Sequence, residues 1–226
     1  MVRSRPVDTM EKHSDFNPYV NNGGTVVAAV WNNCAVIAAD TRLSTGYAIH
    51  TRNVSKLKKL TQTCVIGTSG MQADMYALHS TLERQIELYR FKHHKEPGIS
   101  VIAQLLSTIL YGRRFFPYYT FNILCGVDEN GRGVTCGFDA IGNYGFDTYM
   151  AKGTSSSLIM SILDNHLTSR NQQKHQEIQS LEELINVVKG AMTSAVERDI
   201  FTGDSAEVIV IDTMVHEPIR MPMRVD

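Results

Sequence analysis

The stretch Gly23–Asp40, GGTVVAAVWNNCAVIAAD, decides how this chain is to be read. Two apolar runs, Thr25–Trp31 and Cys34–Asp40, flank Asn32-Asn33, residues that suit a tight turn. Neither run alternates polar with apolar residues, so the pattern predicts a hairpin of buried strands. The second run ends in a lone carboxylate, Asp40. Fifteen residues separate Asp40 from Lys56, and Gly70-Met71-Gln72-Ala73-Asp74 then forms a glycine turn before a helix. A strand-end carboxylate, a lysine and such a turn can build a small polar site on a hydrophobic scaffold. Chemistry alone leaves two readings open, a structural ion pair or a catalytic couple.

Working outward, 226 residues with 43% hydrophobic and 20% charged side chains make an ordinary soluble globular chain with a substantial core. A net charge of −1 gives no reason to expect nucleic acid or a membrane as partner. No apolar run reaches the length of a spanning helix, and Met1–Asp15 has no signal-peptide core. The four cysteines (Cys34, Cys64, Cys125, Cys136) sit singly in apolar strands and read as reduced, buried small hydrophobes, as in a cytosolic or nuclear protein. His93-His94 lacks further ligands for a metal, so no metal or other cofactor is expected.

Residues 1–16 are charged and irregular, which predicts a flexible arm, with the folded domain over residues 17–226. Tyr47–Thr51, Lys56–Leu60 and Cys64–Ser69 are expected as strands extending the sheet of the first hairpin. Met71, Met75, Leu78, Leu82, Ile86 and Tyr89 recur at helical spacing, predicting a helix from Met71 to about His93. A second helix is expected from Ile99 to about Phe115, ending in Arg113-Arg114 where the helix dipole favours cations. Strands follow at Thr120–Val127, Arg132–Asp139 and about Asn143–Asp147. Asp128 lies at a strand end and suits the start of a turn. Ser155 to about Leu167 is expected as a helix, its serines read as ordinary caps. Thr168–Gln179 is polar and aperiodic, a surface loop. Ser180-Leu181-Glu182-Glu183 is a capping box opening a helix to about Ile200. Ala206–Asp212 and Ile219–Val225 complete the chain as strands, giving an α+β order with layered sheets.

The spaced pattern Thr25–Trp31, Ala39-Asp40, Lys56, Gly70–Asp74 resembles the N-terminal half of a proteasome beta subunit. Glu197-Arg198-Asp199-Ile200-Phe201-Thr202-Gly203 resembles the Arg-Asp-x-x-(Ser/Thr)-Gly segment of the same family. Phe16-Asn17-Pro18-Tyr19 with Asn22-Gly23-Gly24-Thr25, and Ser107–Tyr119, are most similar to the non-catalytic beta type-1 class, at the sixth position of the beta ring. The resemblance covers about residues 18–225. It implies a four-layer αββα sandwich of the N-terminal-nucleophile hydrolase type, residues 1–16 being a propeptide or extension.

Active members place a threonine, freed as the new N-terminus, sixteen residues before the aspartate; here 40 − 16 leads to Gly24. The nucleophile in such enzymes is a hydroxyl whose proton passes to the α-amino group of its own residue. Gly24 has no hydroxyl, so the resemblance implies no catalytic residue and a vestigial site made of Gly24, Thr25, Asp40, Lys56, Thr154, Asp199 and Thr202. The alternative is an active threonine endopeptidase using Thr25 after cleavage at Gly24-Thr25. Thr25 lies one residue out of register, however, and in a strand that shifts a side chain by about 3.3 Å and turns it to the opposite face. The implied role is structural, in ATP- and ubiquitin-dependent protein degradation in cytoplasm and nucleus. The implied partners are other beta subunits in a heptameric ring, the alpha ring and the opposite beta ring. Asp128 would border the substrate pocket of a neighbouring subunit.

Overall fold

The computed structural model describes residues 17–168 and 178–225. The expected arm over residues 1–16 and most of the loop before Ser180 lie outside them. Twelve strands and four helices follow in the order β1 (Thr25–Trp31), β2 (Cys34–Asp40), β3 (Leu43–Thr45), β4 (Ala48–Thr51), β5 (Leu57–Lys59), β6 (Cys64–Gly70), α1 (Gln72–His93), α2 (Ile99–Tyr111), β7 (Thr120–Val127), β8 (Gly133–Phe138), β9 (Tyr144–Asp147), β10 (Tyr149–Gly153), α3 (Ser156–Leu163), α4 (Leu181–Val196), β11 (Ser205–Ile211) and β12 (Ile219–Pro222).

Two five-stranded antiparallel sheets carry the structure, ordered β10-β1-β2-β11-β12 and β5-β6-β7-β8-β9. Their inner faces meet through Val26, Ala28, Ile37, Val65, Ile123 and Cys125. The outer face of the first sheet, with Val27, Val36 and Val208, packs on Ile159 of α3 and Leu184 and Val188 of α4. Ile66, Leu124 and Cys136 of the second sheet pack on Leu78 and Leu82 of α1 and Ile102 and Leu106 of α2. The layers are therefore αββα, as the resemblance implies. Burial on both faces explains why β1 and β2, and Val208–Ile211 of β11, read as apolar runs without alternation.

The sheet assignment differs from the sequence reading in one respect. β5 and β6 do not extend the first hairpin's sheet: β6 pairs with β7 from Cys64↔Gly126 to Gly70↔Thr120, in the second sheet, while β3 and β4 form a separate hairpin. Strand pairing is non-local, and nothing within residues 43–70 states which sheet they join. Between the strand ending at Asp147 and the helix expected from Ser155, the structure adds β10, which pairs with β1 from Thr25↔Gly153 to Ala29↔Tyr149.

Helix ends differ too. α2 stops at Tyr111, and the chain continues in tight turns with Arg113 N–H on Leu110 O and Phe116 N–H on Arg113 O, both 3.0 Å. Arg113 and Arg114 thus lie beyond the helix, stacked over Tyr118 at 4.4 Å and Tyr111 at 5.6 Å. α3 is followed by a turn of π-helix at Asp164–Thr168. The capping box holds, with Ser180 Oγ accepting from Glu183 N–H at 3.2 Å, although α4 ends at Val196.

Candidate functional site

Asp40 closes β2 at the rim between the sheets and is fully buried. Its Oδ1 accepts the Thr25 N–H at 2.8 Å; its Oδ2 accepts Arg42 N–H at 3.2 Å and pairs with Lys56 Nζ at 3.1 Å. Lys56, also buried, donates further to the carbonyls of Asp40 (2.9 Å) and Arg42 (2.6 Å). Three N–H donors thus meet three acceptors. Burial pushes the Asp40 carboxyl up, against the pull of the Lys56 ammonium and the N–H groups of Thr25 and Gly203.

Position 24 faces this pair. A Cβ built on Gly24 would stand 2.9 Å from Lys56 Nζ and 2.2 Å from Lys56 Cε, so a side chain here would point at the ammonium. Gly23 and Gly24 have φ of +71° and +89°, a left-handed path that side chains other than glycine's resist. The chain therefore passes Lys56 as bare backbone, and the Gly24 carbonyl accepts Thr154 N–H at 3.1 Å.

Thr25 points the other way, as the register argument requires. Its buried hydroxyl lies 2.8 Å from Thr202 Oγ1 and 3.5 Å from Thr154 Oγ1, and accepts Ser155 N–H at 3.1 Å. Thr202 commits its own proton to Asp199 Oδ2 at 2.7 Å, so the Thr25 hydroxyl donates to Thr202. Asp199 Oδ2 also receives the hydroxyls of Ser155 (2.6 Å) and Thr154, while Oδ1 accepts Phe201 N–H at 3.0 Å. Burial raises the Asp199 carboxyl, but the Ser155, Thr154 and Thr202 hydroxyls outweigh it and hold it below the ordinary range. The proton of Thr25 leads into a closed hydroxyl–carboxylate cluster, not toward Lys56 or a free amine.

All seven residues expected in the vestigial site are brought together, in two clusters joined at Thr25. Sequence reasoning missed one member, Ser155, and named the Gly70 turn without its contact to Gly23. Ser155 was read as a helix cap, but its side chain makes no capping bond and goes instead to Asp199. Gly70 supplies the N–H facing the bond before position 24: it donates to the Gly23 carbonyl at 3.4 Å, while Asn22 N–H donates to the Gly70 carbonyl at 3.1 Å. Asn22 Oδ1 then accepts Gln72 N–H at 2.9 Å, supplying the cap that Met71 lacks at the start of α1. The sequence placed the Gly70 turn beside Asp40 and Lys56, but not the backbone bonds that seat Asn22 and Gly23 on it.

Beside Gly23, Leu43, Lys56, Thr68 and Met75 enclose a cavity of about 10 Å³, too small for more than one water. Asp128 closes its own turn, its Oδ1 accepting Asn130 and Arg132 N–H at 2.8 Å. Cys64, Cys125 and Cys136 are buried free thiols, and Cys34 is partly exposed at the start of β2. Among the described residues, no cluster of His, Cys, Asp and Glu could hold a metal ion.

A four-layer αββα sandwich with Asp, Lys and a hydroxyl–Asp cluster gathered at the start of β1 defines an N-terminal-nucleophile hydrolase fold. Comparison with known proteins sharpens this: the family described as Proteasome subunit matches residues 20–211. The chain belongs to that family. It is 43% identical over 215 residues to the proteasome subunit beta type-1-B of Carassius auratus, spanning 93% of this chain and 90% of that protein. To the proteasome subunit beta type-1 of Arabidopsis thaliana it is 44% identical over 206 residues (89% and 92%), and to that of Dictyostelium discoideum 45% over 203 (88% and 86%).

Proposed function

We propose that this chain is a non-catalytic structural subunit of the 20S proteasome core, contributing to the beta ring of a particle that degrades ubiquitin-tagged proteins in cytoplasm and nucleus. One observation carries the reading: the position whose side chain would stand 2.9 Å from Lys56 Nζ is glycine, so the attacking oxygen is absent. The subunit's contribution is then shape. Its outer helices and loops meet alpha and beta neighbours, and Asp128 borders the pocket of an adjacent active subunit.

The test is the N-terminal residue of the chain isolated within the particle, read by mass spectrometry. A start upstream of Gly24 is the expected result. A chain beginning at Thr25, labelled there by an inhibitor that reacts with N-terminal threonines, overturns the proposal.

A further inference from the structure

Two asparagines in this chain are followed by glycine, Asn22 and Asn130. Such a pair is chemically labile, because glycine has no side chain to keep its backbone nitrogen away from the amide carbon before it. The structure treats the two pairs differently. Asn22 is locked: its Nδ2 donates to Ser44 O at 3.3 Å and Thr45 Oγ1 at 3.2 Å, and its Oδ1 accepts Gln72 N–H at 2.9 Å. Gly23 is buried, and its N–H donates to Asn21 Oδ1 at 2.9 Å. Asn130 and Gly131, by contrast, stand exposed at the tip of the β7–β8 hairpin. The Asn130 amide makes one long bond among the described residues, from Nδ2 to Asp128 Oδ2 at 3.4 Å. Gly131 has φ of +75°, and beyond its chain neighbours no atom lies within 4 Å of where its Cβ would stand. Its N–H donates to Asp128 O at 3.1 Å, closing the turn.

We propose that Asn130-Gly131 is a spontaneous modification site, where the asparagine loses its amide and becomes aspartate or isoaspartate. Solvent hydroxide removes the Gly131 N–H proton, and that nitrogen bonds to Asn130 Cγ. The Cγ–Nδ2 bond breaks, Nδ2 takes a proton from water and leaves as ammonia, and a cyclic imide closes. Water then adds to either ring carbonyl and breaks its bond to the Gly131 nitrogen. Overall one water enters and one ammonia leaves, with no oxidant or cofactor. The same closure at Asn22 first requires its amide to leave three partners, so the fold shields that pair. The product adds one negative charge to the chain's net −1 and sets a carboxylate against Asp128, where the amide had donated. Asp128 accepts the N–H groups of Asn130 and Arg132, so the repulsion falls on the residue that holds the hairpin turn. The site belongs to the folded chain itself and does not depend on the role proposed above.

The test holds the full purified chain at mildly alkaline pH and digests samples at intervals. Conversion of each asparagine is read by peptide mass spectrometry, and isoaspartate is counted with an isoaspartate-specific methyltransferase. In the folded chain Asn130 should convert at least about tenfold faster than Asn22. In guanidinium chloride the two rates should converge, because the shielding of Asn22 goes with the fold. Gly131→Ala, whose methyl crowds the attacking nitrogen, should slow conversion of Asn130 by about tenfold and leave Asn22 unchanged. Thermal melting checks that this variant keeps the fold. Equal rates at the two pairs in the folded chain overturn the proposal, as does an Asn130 that stays intact. Unchanged conversion in the folded Gly131→Ala chain overturns the imide route.

Discussion

Lys56 spends all three ammonium protons on Asp40 and two backbone carbonyls, which ties the loop before β5 to the end of β2. Removing one partner of a buried pair leaves the other charge uncompensated. Lys56→Ala should therefore destabilise the fold by on the order of 3 kcal/mol, measured from urea unfolding of the purified chain. Combining Lys56→Met with Asp40→Asn should recover much of that loss. A single variant as stable as wild type would mean the pair contributes nothing. Asp40, Lys56, Asp199 and Thr202 were legible because their spacing fits a known pattern, and Gly24 because it breaks that pattern. Ser155 was not, because a serine at a helix start has the same local sequence whether its hydroxyl caps the helix or reaches Asp199, 44 residues away.

At the scale of elements, α1 is tied to the second sheet by a polar chain as well as by leucines. His79 Nε2 lies 2.8 Å from Thr68 Oγ1, which donates to Asn122 Oδ1 at 2.8 Å, all three being buried. Because the Thr68 proton is committed, His79 donates from Nε2 as the neutral ring. Burial, then the nearby Lys58 charge, push its pKa from 6.5 down to about 4, against the pull of Glu83. Between those values the unfolded chain takes up a proton that the folded chain refuses. Stability should accordingly fall as pH drops from 6.5 toward 4, by on the order of 3 kcal/mol in all. His79→Gln should flatten that part of the profile in denaturation series across pH; an unchanged slope would assign the acid sensitivity elsewhere. Helix faces were readable from spacing, as Met75, Leu78, Leu82 and Ile86 show. The end of α2 and the sheet that receives β5 and β6 were not, since the first depends on turns after Gly112 and the second on the pairing of β6 with β7, fifty or more residues away.

Taken as a whole, the molecule builds its site where both sheets and the entering chain meet: Gly24 ahead of β1, Asp40 on β2, Lys56 before β5 and Gly70 ending β6. The order of strand and helix blocks gave an α+β class with layered sheets, and the αββα order came from the family resemblance. The meeting of these four points became visible only once the sandwich closed. Gly24→Thr should not create an enzyme while the chain remains intact. The new Cβ meets Lys56 Cε at 2.2 Å on a backbone with φ of +89°, so a loss of about 1–3 kcal/mol is expected in thermal or urea melts, with no labelling by threonine-directed inhibitors. Covalent labelling of residue 24 in that variant would refute this. The paired glycines thus have an evolutionary corollary. On the scaffold role proposed above, restoring threonine at position 24 costs folding stability before it yields any turnover, so that single reversal works against a ratchet.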